Sequence, residues 1–254
     1  MRFASLGSGS EGNGLVVQAG ETCVMIDCGF GIRETTARLA RLGLAAEDVS
    51  AIIVTHEHSD HVGGVPAFAS RHGTPVWATW GTITTAGRLA GIGNVTAFDS
   101  HDAFAIGALS ITPFPVPHDA REPVQFVLGD GAHTLAVLTD TGAPTAHVEA
   151  CISGCDALVI ECNHDVDLLA RGPYPYPLKQ RIAGPFGHLS NADAAAMLGR
   201  IDATKLQHIV AAHLSRENNT PDSARGALCA VLECSPDWIG VADQEQGFDW
   251  REVS

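Results

Sequence analysis

The chain has 254 residues, of which 45% are hydrophobic and 17% charged, a balance that supports a sizeable packed core and excludes wholesale disorder. Fifteen lysines and arginines against 29 aspartates and glutamates leave a net charge of −14, which excludes a protein that coats nucleic acid by general electrostatics, so any such contact must be local. No apolar run reaches the ~18 residues of a spanning helix, the opening MRFASLGSGSEGNG holds no signal-peptide core, and seven cysteines without a C-x-x-C pair suit reduced thiols; the expectation is a cytoplasmic protein with no membrane contact.

In chain order, strands are predicted at 3–6, 15–18 and 23–27, separated by glycine turns, and a helix over 32–42 that stops at Gly43. The run 51–54 is β-branched and too short for a helix, so it reads as a buried strand. Beyond it the pattern predicts a helix over 61–72, a strand at 76–78, a helix over 82–89, and several strands between 95 and 138. The second half predicts a helix over 146–152, a strand at 157–161, a helix after His164, a helix over 192–201, a strand at 208–212 and a helix over 222–232. The proline-rich segment RGPYPYPLKQRIAGPFG, residues 171–187, carries Arg171, Lys179 and Arg181 with no acidic residue, and is expected to be a long irregular loop. Strands and helices in both halves around a mainly β middle suit two packed sheets with helices outside. No repeat and no linker interrupts residues 1–254, which read as a single domain.

Chemistry concentrates in VTHEHSDH, where His56, His58, Asp60 and His61 follow the buried strand. Imidazole and carboxylate are ligands for divalent transition ions, and four of them on a loop can address two adjacent metals. Further candidates stand just past other β-rich runs: His118 after ITPFPVP, Asp140 in LTDTG and His213 after HIVAA. Strand ends deliver side chains to a common sheet edge. Asp27 in MIDCG stands at a strand end as well, as a turn residue by its spacing. Ser8 and Ser10, in a Gly/Ser loop, offer accessible amides for a phosphate. His188, in GHLSN ahead of a helix, is read as a phosphate contact or a proton donor to a leaving oxygen. His164 in ECNHD is read either as a helix start or as a substrate contact. Trp77, Trp80 and Trp238 read as core aromatics.

The motif H-x-H-x-D-H, matched by His56, His58, Asp60 and His61, resembles that of the metallo-β-lactamase superfamily, and the resemblance extends over essentially the whole chain. It implies an αββα sandwich of two mixed β-sheets flanked by helices. It also implies a first metal on His56, His58 and His118, a second on Asp60, His61 and His213, Asp140 bridging both, and Asp27 supporting from behind. SLGSGSEGN, HEHSDHVGG, ECNHD, GHLSN and AAHLSRENN are similar to the compact bacterial YycJ- or WalJ-like subgroup, for which DNA exonuclease activity is implied. An aspartate bridge in place of a cysteine disfavours an antibiotic-cleaving enzyme, and the stretch between Asp140 and His213 is too short for the inserted domain of β-CASP nucleases.

Two divalent ions, zinc or manganese with iron also accommodated, lower the pKa of a bridging water and neutralise charge on a phosphoryl oxygen. The leading reading is therefore a dinuclear phosphodiesterase or nuclease acting on nucleic acid, DNA ahead of RNA, with Asp60 and His188 as catalytic groups. Ser8, Ser10, His164, Arg171, Lys179 and Arg181 would be its substrate contacts. The alternatives are a lactonase or thioesterase, since the same metals polarise a carbonyl, and a non-catalytic metal-binding regulator.

Overall fold

The computed structural model describes residues 1–87 and 89–254. Its strands are β1 (Arg2–Gly7), β2 (Gly14–Ala19), β3 (Thr22–Ile26), β4 (Ala51–Ile53), β5 (Val76–Thr79), β6 (Val95–Phe98), β7 (Phe104–Ile106), β8 (Leu109–Pro115), β9 (Val124–Gly129), β10 (Thr134–Leu138), β11 (Ala157–Glu161), β12 (His208–Ala212), β13 (Ile239–Val241) and β14 (Phe248–Glu252). Among the described residues they form two seven-stranded mixed sheets, ordered β14-β1-β2-β3-β4-β5-β6 and β13-β12-β11-β10-β9-β8-β7. The helices are α1 (Ile32–Arg41), α2 (Ser59–Val62), α3 (Val65–His72), α4 (Trp80–Thr85), α5 (Ala146–Ile152), α6 (Val166–Arg171), α7 (Tyr176–Ile182), α8 (Asn191–Leu198) and α9 (Pro221–Leu232).

The central strands are apolar throughout because both of their faces are covered. In β3, Val24 and Ile26 point between the sheets while Cys23 and Met25 point to the helices outside, and β11 divides Ala157 and Val159 from Leu158 and Ile160 in the same way. The inter-sheet layer packs Val17, Val24 and Ile53 with Phe126, Leu128, Val137 and Val159. Leu39 of α1 and Phe68 of α3 close the first outer layer, and Val148, Leu198 and Leu228 of α5, α8 and α9 close the second. The result is the expected αββα sandwich.

Four local expectations differ. The helix expected over 61–72 is two, α2 and α3, parted at Gly63 and Gly64; a side chain at Gly64 would collide with the Phe30 carbonyl, and Pro66 sits in the first turn of α3. The helix expected over 82–89 starts earlier, where Thr79 Oγ1 accepts from Thr82 N–H at 3.3 Å, and its residue 88 lies outside the described residues. Within 171–187 the chain is not an irregular loop but forms α7, since Pro175 enters it in an extended conformation and Pro177 occupies the first turn, where no amide hydrogen is needed. Finally, Trp77 stacks on Phe104 at 4.8 Å, but Trp80 is 66% exposed and Trp238 37% exposed; neither is a core aromatic, because each stands in a first or single helical turn off the sheets.

Candidate metal centre

Strand direction builds the site. β3 and β4 are parallel, as are β10, β11 and β12, and β8 is two antiparallel steps from β10, so all six end at one edge. From those ends come Asp27, His56, His118, Asp140, Glu161 and His213, while His58, Asp60 and His61 follow in the turn into α2. That turn is pinned to the end of β3: Asn13 N–H donates to Asp60 O at 2.7 Å and Cys28 N–H to His61 O at 2.8 Å. Asp27 (φ 59°) and His213 (φ 54°) adopt left-handed backbone conformations that turn each chain sharply out of its strand. Such conformations cost an ordinary side chain of order 1 kcal/mol or more and persist only where the surroundings over-determine them.

Hydrogen bonds fix how the imidazoles face. Asp27 accepts Thr55 N–H at 2.8 Å, Thr55 Oγ1 at 2.9 Å and His61 Nδ1 at 2.8 Å, which turns His61 Nε2 toward Asp140 Oδ2 at 3.2 Å and Asp60 Oδ2 at 3.4 Å. Thr55 Oγ1 also accepts from His56 Nδ1 at 2.9 Å, Gly187 O from His118 Nδ1 at 3.0 Å, and Asp119 O from His58 Nε2 at 3.3 Å. With those protons committed, the unprotonated nitrogens of His58 and His118 face each other across 3.3 Å. Two lone pairs repel in that arrangement unless a cation lies between them. His213 Nε2 is 3.5 Å from both Asp60 Oδ2 and Asp140 Oδ1.

Among the described residues the side chains therefore gather in four sets whose donor atoms lie within 4.8 Å of one another: His56, His58 and His118; Asp60, His61 and His213; His56, His61 and Asp140; and Asp140, Glu161, His188 and His213. Among the described residues His56 Nε2, Asp140 Oδ2 and His213 Nε2 are buried without a hydrogen bond of good geometry, although Asp140 Oδ2 lies 3.2 Å from His61 Nε2 and His213 Nε2 lies 3.5 Å from Asp60 Oδ2. Leaving such atoms unanswered costs about 1–3 kcal/mol each, and divalent ions would satisfy all three. Mixed imidazole and carboxylate donors suit zinc, manganese or iron. The clusters are thus consistent with a dinuclear metal site.

Charge is balanced within the cluster. Burial, with neighbouring His61 adding to it, holds His56 well below the ordinary imidazole range. Burial also opposes charge on His61 and His213, but Asp140 and Asp60 outweigh it, holding His61 well above its ordinary value and raising His213 to about 10. Burial works against the Asp140 carboxylate too, and the charges of His213 and His61 hold it well below the carboxylate range. Loading metal must then expel protons from His61 and His213. Apparent affinity should fall about tenfold per pH unit for each proton expelled as pH drops from ~9 to ~6; competition with a chromophoric chelator measures the slope, and a pH-independent affinity would refute it.

Ser8, expected as a substrate contact, is buried, and its Oγ accepts the His213 backbone N–H at 2.9 Å. Ser10 is exposed at the rim of a cavity of about 260 Å³ that Asp119, Asn163, Arg181 and His188 also line. Arg181 Nε pairs with Asp119 Oδ2 at 2.6 Å. Lys179 Nζ donates to Ala170 O at 2.7 Å, and Arg171 is exposed, 3.9 Å from Asp167. His164 is buried and bridges to Ser190. His188 joins the cluster: its Nδ1 is 2.7 Å from Glu161 Oε1 and 3.5 Å from Asp140 Oδ1, and its ring stacks on His213 at 5.2 Å.

Glu161 escaped the sequence reading. It is fully buried, and its Oε2 accepts Thr141 N–H at 2.8 Å while Oε1 faces both His188 and His213. A carboxylate closing the apolar run ALVIE is a burial that needs a partner, and that was the available signal. Asn13, with Nδ2 3.1 Å from His61 Nε2, and Asn163, with Nδ2 3.0 Å from His213 O, also brace the imidazoles unannounced.

Residues 22–211 match the β-lactamase superfamily domain. The chain is 37% identical over 247 residues to the exodeoxyribonuclease YycJ of Bacillus anthracis, covering 95% of this chain and 93% of that protein. It is 32% identical over 245 residues to the exodeoxyribonuclease WalJ of Streptococcus pneumoniae, covering 94% and 91%. Among solved structures, the metallo-β-lactamase fold protein YhfI from Bacillus subtilis superposes with a TM-score of 0.77 at 18% identity, with 99% of each chain covered, and so shares the fold. With the domain matched over most of its length and relatives aligned nearly end to end, the chain belongs to the metallo-β-lactamase-fold superfamily, in the family of the YycJ and WalJ proteins.

Proposed function

We propose that residues 1–254 form one domain that acts as a metal-dependent nuclease, a phosphodiesterase of exonuclease type with DNA preferred over RNA. The observation that carries this reading is the end-to-end similarity to two exodeoxyribonucleases. His56, His58 and His118 would hold a first ion, Asp60, His61 and His213 a second, and Asp140 would span both. Zinc or manganese is the favoured pair, with iron accommodated. No helix among the described residues is long and apolar enough to cross a membrane, and all seven cysteines are free thiols; we place the protein in the cytoplasm.

When bound, two divalent ions supply Lewis acidity at a phosphoryl oxygen and a water of lowered pKa. Of the two carboxylates that face both His61 Nε2 and His213 Nε2, Asp60 alone reaches the opening, with its side chain 21% exposed against 2% for Asp140, so it is the group that orients the attacking water. His188 is the proton donor. Burial opposes its charge, yet the Glu161 carboxylate outweighs this and raises its pKa above the ordinary imidazole value, which favours the protonated form. With Nδ1 committed to Glu161, Nε2 is left to give its proton to the leaving oxygen. Arg171, Lys179 and Arg181 would contact phosphates along α6 and α7, and Ser10 the chain at the rim.

The test is metal-reconstituted protein offered labelled single- and double-stranded DNA, RNA, bis-p-nitrophenyl phosphate, a lactone and a thioester. Cleavage of nucleic acid supports the proposal. Turnover confined to the lactone or thioester would make it a carbonyl-ester hydrolase, and tight metal with no turnover a regulator. On a long DNA, neutralising Arg171, Lys179 and Arg181 should raise KM and flatten the salt dependence by about one in slope per lost phosphate contact, with metal content unchanged. A salt slope identical to wild type would remove these residues from the interface. Asp27→Asn should weaken metal affinity by about 10- to 100-fold, as loss of an outer hydrogen-bond partner does; chelator titration reads it, and an unchanged affinity would show that Thr55 alone orients His61.

A further inference from the structure

A second hollow, of about 540 Å³, lies beside the metal centre, and His188 lines both it and the smaller cavity at Ser10. Its volume falls within the ~300–1,000 Å³ of ligand pockets. Val166, Leu169 and Ala170 of α6 and Ala183 beyond α7 give it apolar walls. Tyr176 of α7 also lines it, 71% exposed, with its hydroxyl held by Gln180 Nε2 at 2.6 Å. A large aromatic side chain, mostly exposed, is thus held at the wall of the hollow.

His164 supplies the polar element. It lines the hollow while only 2% exposed, its Nδ1 is buried without a partner, and its Nε2 makes no hydrogen bond among the described residues. Its backbone is fixed by the bridge to Ser190 and by Asn191 N–H donating to His164 O at 2.8 Å. A phosphate suits the hollow poorly, because the Asp193 carboxylate also lines it. A flat heterocycle suits it well, offering faces to Tyr176 and Leu169 and an edge atom to His164.

We propose that this hollow is the subsite for the nucleobase of the nucleotide next to the scissile phosphate, a reading that rests on the nuclease assignment above. His188 would then stand between the base in one cavity and the phosphate over the other. The enzyme would grip its substrate through base stacking as well as through metal and phosphate.

The test compares, by calorimetry on the Mn²⁺-loaded protein, the affinities for 2′-deoxyadenosine 5′-monophosphate and 2-deoxyribose 5-phosphate. Both probes carry the same phosphate, so its contacts cancel in the ratio. The nucleotide should bind about 5- to 150-fold tighter, the range of one base–aromatic stack. Tyr176→Ala should bring the ratio toward one and Tyr176→Phe should keep it, which separates loss of the ring from loss of the fold. Equal affinities in the wild type, or an unchanged ratio in Tyr176→Ala, would overturn the subsite. The nuclease assignment fails independently, through absence of cleavage in the substrate panel, so a preserved ratio in a protein that cuts no phosphodiester would keep the base pocket and discard the nuclease.

Discussion

Asp140→Ala should lose bound metal and activity together, with turnover on DNA falling to the uncatalysed background. The Asp140 carboxylate is buried among the imidazoles, with Oδ2 3.2 Å from His61 Nε2 and Oδ1 3.5 Å from His213 Nε2 and 4.0 Å from His118 Nε2. Among the described residues no other carboxylate lies within 4.0 Å of both groups of imidazoles. Its removal also strips His61 and His213 of their principal counter-charge, and breaking a buried pair costs about 3–5 kcal/mol, so the fold must be checked by circular dichroism. Asp140→Asn keeps the shape and serves as the second variant. Elemental analysis of both proteins decides the matter, and a fully metallated, folded Asp140→Ala protein would place the bridge elsewhere.

His188→Ala should lower kcat by about 10²- to 10⁴-fold, the range for a general acid–base group, with metal content intact. The contrast with Asp140 follows from position. His188 lies against Glu161 and the stacked ring of His213 and lines the cavity, whereas Asp140 lies inside the imidazole cluster. Steady-state kinetics on a long DNA, paired with elemental analysis, read the two quantities separately. Normal turnover in His188→Ala would shift the assignment toward a small uncharged ester, whose leaving group needs less protonation.

Much of this arrangement was readable because the chemistry is local in sequence. His56, His58, Asp60 and His61 follow a β-branched strand without interruption, and His118, Asp140 and His213 each stand just past an apolar run. Glu161 was hidden because it reads as the last residue of a strand, and its role comes from His188, ahead of α8, and His213, which reach it from distant parts of the chain. Ser8 reads as a loop serine until β12 brings His213 to it from the far end of the chain. The strands β13 and β14 carry weak patterns, one only three residues long and the other a half-exposed edge whose pairing partner is β1. Helix α7 was masked by prolines that, placed at its entrance, favour rather than forbid it.

The cluster draws its members from both sheets: His56 and Asp27 stand at the ends of β4 and β3, His118, Asp140 and His213 at the ends of β8, β10 and β12. At the opposite edge the sheets are joined by the chain's own groups: the Met1 ammonium pairs with Asp130 at 3.0 Å, His208 Nε2 donates to Glu252 O at 2.7 Å, Gln207 Nε2 to Ser254 O at 2.7 Å, and Ala108 N–H to Thr22 Oγ1 at 3.0 Å. An ion shared across the functional edge would be a clasp on the sandwich itself, the counterpart of those contacts. Its binding free energy would add to folding free energy, by ~4 kcal/mol at a thousandfold excess over Kd, so metal supply would set how long the protein survives thermal opening as well as whether it turns over.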